Sequence, residues 1–160
     1  MANLSGTPQH EASERQRLEE AAQQAEARRA ALHVVVVDVT AALATRAPGS
    51  DAWFDAVRAA LGRLQDGLRA HVREAELPGG LLAEIVHWQP EYEARVTAMR
   101  HEHETMLARV EELVDRSRTS LPADELQRDA DELIGLIDRH RHKALELVLD
   151  AHNLDVAAGD

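Results

Sequence analysis

The chain has 160 residues, 18 Lys and Arg against 29 Asp and Glu, nine His, four aromatic residues and no Cys, a length that suits one compact domain. Without cysteine there is no disulfide, thiolate metal site or cysteine nucleophile, so any metal must be held by imidazole and carboxylate. The formal charge of −11 excludes a general phosphate-backbone binder, whose affinity comes from clustered Lys and Arg, and no nucleic-acid partner is expected.

The longest strongly apolar run, Val34 to Val37, stops at Asp38. It is too short to span a bilayer, and the N-terminus lacks the apolar core of a signal peptide, so no membrane partner and a cytoplasmic location are expected. Residues 1–10 carry Asn, Gly, Pro and Gln and read as a flexible tail. The spacing predicts a first helix from about Glu11 to Thr45, with Leu18, Ala22, Ala25, Leu32, Val36, Val39 and Leu43 on one stripe. At about 50 Å it outruns its neighbours, and its first two turns are free to project or to serve a homodimer.

Ala47-Pro48-Gly49 is a turn, and Ser50 with Asp51 opens a second helix bearing Val57, Leu61, Leu64, Leu68 and His71. Leu77-Pro78-Gly79-Gly80 ends it, and Leu81–Trp88 forms a short extra helix before Pro90 starts the third. That third stripe is Tyr92, Val96, Met99, His103, Met106, Val110 and Leu113. After Leu121-Pro122, Asp124 and Glu125 open a fourth helix bearing Leu126, Leu133, Ile137, His140, Ala144, Leu147 and Ala151. No period-2 segment occurs. The expected fold is all-α: over residues 11–160, an antiparallel up-down four-helix bundle with a long first helix and a short extra helix between the second and third.

Sorting the histidines by helix phase is the step that points to function. His103, His140 and His71 replace apolar residues at regular positions of core stripes, and His33 lies at the edge of one, so each long helix contributes an inward or nearly inward imidazole. His101 and His142 fall about 200° from their core neighbours and should face solvent, as should His10, His87 and His152. Several core imidazoles need partners in a core short of Ser, Thr, Asn and Tyr, and one metal ion satisfies several at once. Reflection through the turn at residues 120–121 places His103 about 3 Å in depth from His140, whereas His33 falls about 9 Å short of His71. Glu74 is close in phase to His71, and Glu76 reaches the same cluster only if the helix distorts before Pro78.

Histidines on all four helices of a short bundle, with the segments His71-Val-Arg-Glu74-Ala-Glu76-Leu-Pro-Gly-Gly, His101-Glu-His103 and His140-Arg-His-Lys-Ala-Leu-Glu, resemble the bacterial hemerythrin-like (HHE cation-binding) domain over residues 28–160. The resemblance implies a non-heme iron site, diiron in the family, that binds dioxygen. It assigns the metal to His33, His71, Glu74 (with Glu76 as the alternative), His103 and His140. It also exposes departures: Ala75, Leu107, Ala144 and Leu145 stand where the family places further ligands. The expected function is therefore a hemerythrin-like protein that binds or senses dioxygen or a related small oxidant at mononuclear or diiron iron, zinc or no metal being the other options. The alternative is a bundle that has lost the full site and serves as a binding or regulatory module, or a heme-binding protein using His103 and His140. No Ser/His/Asp set or paired-carboxylate cleft can be placed, so no catalytic residue is assigned.

Overall fold

A computed structural model describes residues 8–45, 47–119 and 121–157, with only the backbone path for residues 8–11, 14, 18 and 152–157. Residues 1–7 of the expected tail, and the side chains of Leu18, His10 and His152, therefore lie outside the described part. Every regular element among the described residues is helical: α1 Pro8–Leu43, α2 Asp51–Ala75, α3 Leu81–Trp88, a 3-10 turn at Pro90–Tyr92, α4 Glu93–Ser117 and α5 Ala123–Ala157. Residues 8–10, expected in the tail, belong to α1. Pro8 stands at its first position, where the missing N–H costs nothing.

Local chemistry sets the helix ends. Ser50 caps α2, its Oγ accepting from the Trp53 N–H at 3.2 Å. The Trp53 ring then folds back and donates from Nε1 to the Leu43 carbonyl at 3.3 Å, using one of the free acceptors at the end of α1. The break after α2 depends on two glycines. Gly79 has φ +76, a conformation that side chains disfavour, and a Cβ on Gly80 would sit 2.9 Å from the carbonyl oxygens of Glu74 and Leu77. This tight turn ends α2 at Ala75, with Glu76 as its C-cap.

The helices pack in a ring: α1 against α2, α2 against α4, α4 against α5 and α5 back against α1, while α3 leans on α1 and α4. Most of the stripe residues read from the sequence form the interior; at the start of α1 Ala21 rather than Ala22 is buried beside Ala25, and Tyr92 and Ala144 are only partly buried. Two apolar clusters result. One holds Leu32, Val36, Leu64, Leu68, Met106, Val110 and Ile137. The other holds Ala25, Leu82, Ile85, Val96, Met99 and Leu147. Along α4 the order is Met99, His103, Met106, and along α5 it is Leu147, His140, Ile137. The histidines thus occupy a polar layer between two apolar ones. No helix among the described residues is long and apolar enough to cross a membrane.

Candidate metal centre

Three helices deliver one imidazole each to that layer: His71 from α2, His103 from α4 and His140 from α5. Each offers a ring nitrogen, and the three lie within 4.8 Å of one another. His103 and His140 are 1% exposed. Their Nε2 atoms stand 3.1 Å apart. The His71 ring meets both edge-on, with centroids 5.4 Å from His103 and 5.7 Å from His140.

The far sides of two of these rings are held by carboxylates. His103 Nδ1 is 2.7 Å from Glu76 Oε1, and His140 Nδ1 is 3.0 Å from Glu102 Oε2. The other Glu102 oxygen accepts from the Lys143 ammonium. A carboxylate can only accept, so each Nδ1 carries the hydrogen. In neutral rings each Nε2 is then a bare lone pair, and two such lone pairs face each other at 3.1 Å. A pair of acceptors at that distance needs a shared proton or a metal ion between or beside them. The carboxylate–imidazole arrangement is the one that orients histidine for metal binding and raises its basicity.

The surroundings keep these rings ready to coordinate. Burial lowers the pKa of His71 to about 3, helped by His103, His140, Arg28 and Arg29. Its Nδ1 is buried without a hydrogen-bond partner. Burial also holds His140 below the usual histidine range, against the opposing effect of the hydrogen bond its Nδ1 donates to Glu102. For Glu102, burial works to raise the pKa, but Lys143 and His140 together outweigh it and keep the carboxylate ionised. His71 and His140 are therefore neutral at pH 7, the state a metal requires.

The spacing of His103 and His140 suits one shared ion. Two imidazole nitrogens bound at about 2.0–2.1 Å to one centre stand roughly 2.8–3.0 Å apart at octahedral angles and roughly 3.3–3.4 Å at tetrahedral ones, and the observed 3.1 Å lies between. The same distance leaves no room for a porphyrin between His103 and His140, so these two rings do not form a heme site in this arrangement.

Of the five residues assigned from the sequence, the structure brings together His71, His103 and His140. His33 is exposed on α1, where its Nδ1 accepts from Arg141 Nη1 at 3.2 Å. Glu74 turns to Arg28, with its carboxylate 3.7 Å from Nε. Glu76 is the acid of this segment that reaches the cluster, and it does so through His103. Glu102 was not singled out by phase. The signal available for it was its place beside His103 together with Lys143, one turn after His140. His101, His142 and His87 are exposed, as expected. Comparison with family models, with characterised proteins and with solved structures finds no match to this chain.

Proposed function

We propose that this chain is a metal-binding helical protein in which α1, α2, α4 and α5 form an antiparallel up-down bundle around one divalent first-row transition ion. His71, His103 and His140 are the ligands. Glu76 and Glu102 hold two of them in the coordinating tautomer, and Lys143 steadies Glu102. The observation that carries this reading is the pair of Nε2 atoms facing each other at 3.1 Å with both Nδ1 atoms committed to carboxylates.

The donor set supports one ion rather than two. A diiron centre needs bridging carboxylates, and the two acids nearest the cluster bond the outer nitrogens of the histidines. Three imidazoles suit zinc or iron and leave a coordination position for a small ligand. In this reading the layout is hemerythrin-like, reduced to a single ion, and the small ligand is dioxygen or a related oxidant.

Metal analysis tests the proposal. Protein loaded with iron(II) without oxygen, or with zinc, and then freed of excess metal should retain one equivalent per chain. His103→Ala and His140→Ala should each retain less than a tenth of that. Wild-type protein that retains none would leave the bundle as a metal-free binding module.

A further inference from the structure

The long first helix is apolar on two sides. Its inner stripe, Leu32, Val36, Val39 and Leu43, is buried in the core. On the opposite side, Ala27, Ala30, Val34, Val37, Ala41 and Ala44 are all exposed, at alternating steps of three and four that place them on one seam. Val34 is 59% and Val37 48% exposed, among the large apolar side chains most open to solvent. Valine on a solvent face loses side-chain freedom in a helix and gains no packing in return. A surface of this kind, free of charge along its centre, marks a contact site.

We propose that this face pairs with the same face of a second copy of the chain, the two α1 helices lying antiparallel across a two-fold axis. The pattern itself specifies the partner. About the point between Val35 and Val36 the seam is palindromic: Ala27 meets Ala44 of the second copy, Ala30 meets Ala41, and Val34 meets Val37. A two-fold interface requires a patch complementary to itself. The alanines at both ends let the backbones approach closely, while the four valines fill the centre. Along the flanks His33 falls near Thr40 of the second copy and Asp38 near its Ala31, so no like charges are opposed.

The size of the face sets the strength. Ala27 to Ala44 spans about 26 Å of helix. With its flanks, such a seam buries roughly 500 Å² per copy, about 1,000 Å² in all, the lower limit for a specific interface. An interface at this lower end is that of a weak, concentration-dependent dimer, which we place in the micromolar range. The face lies outside the histidine layer, so pairing is independent of metal.

Sedimentation velocity from about 5 to about 500 μM, a range that brackets micromolar affinity, should show wild-type protein moving from monomer to dimer. The doubly substituted Val34→Glu/Val37→Glu chain should stay monomeric with unchanged helical circular dichroism. The absence of native cysteine permits a test of direction. Under mild oxidation, a mixture of Ala30→Cys and Ala41→Cys chains should cross-link to each other at least tenfold faster than either links to itself. Wild-type protein monomeric throughout, a glutamate variant that still dimerises, or Ala30→Cys linking mainly to itself would each overturn the proposal.

Discussion

Replacing Glu76 by Gln isolates what the outer carboxylates contribute. The Gln side chain keeps an acceptor oxygen for the His103 Nδ1–H but removes the negative charge that stands 2.7 Å from that ring. The ring remains in place and becomes a poorer donor at Nε2. Loss of such a partner typically costs about 10–100-fold in metal affinity, or about 1.4–2.7 kcal/mol. Glu102→Gln should cost less: Glu102 is 3.0 Å from His140 Nδ1 and already shares its charge with Lys143. Glu104, paired with exposed His101 at 3.3 Å, provides the control. Competition for zinc against a chromophoric chelator should rank the proteins as wild type and Glu104→Gln equal, Glu102→Gln weaker and Glu76→Gln weakest. Equal affinity in Glu76→Gln and wild type would refute the assignment of the carboxylates to the metal site.

Other consequences are as direct. His71 has a pKa of about 3 in the folded chain against an ordinary 6.5, so between these values the unfolded chain binds a proton that the folded chain refuses. Metal-free stability should be full above about pH 6.5 and fall as pH drops toward 3, with a slope approaching about 1.4 kcal/mol per pH unit from this group. Urea unfolding in chelator at stepped pH would show it, and a flat profile from pH 7 to 4 would contradict it. Ser50→Ala removes the cap on the Trp53 N–H and should cost about 1 kcal/mol in the same assay, with metal binding unchanged. His33→Ala should leave the bound metal at its wild-type level, because the ring lies on the surface against Arg141; loss of metal in this variant would place a fourth histidine in the site.

The parts of the site that could be read from the sequence were those governed by helix period. His103 and His140 sit at regular steps of their stripes, and depth counting through the α4–α5 turn brought them side by side, as the 3.1 Å contact shows. The same counting showed His33 about 9 Å out of register with His71, and the structure leaves it at the surface. Glu76 was harder, since an unbroken helix would carry it about 140° from His71. The helix instead ends at Ala75, and Glu76, with φ −99 and ψ 0, leaves the helical path and meets a ring on another helix. Glu102 escaped for a different reason: phase describes where a residue leaves its own helix, not how far a long side chain reaches across a groove. The outer face of α1 was hidden by its alanines, which read as helix formers and disclose an apolar surface only once their exposure is known.

In the proposed centre, three buried imidazoles share one ion. Cobalt(II) titration of metal-free protein at pH 7, followed by visible absorption, tests it most directly. Saturation at one equivalent per chain, with ligand-field bands of a low-coordinate, nitrogen-bound ion that vanish in His71→Ala, His103→Ala and His140→Ala alike, is the predicted result. Saturation at two equivalents, or a wild-type spectrum that stays that of free aqueous cobalt, would contradict it.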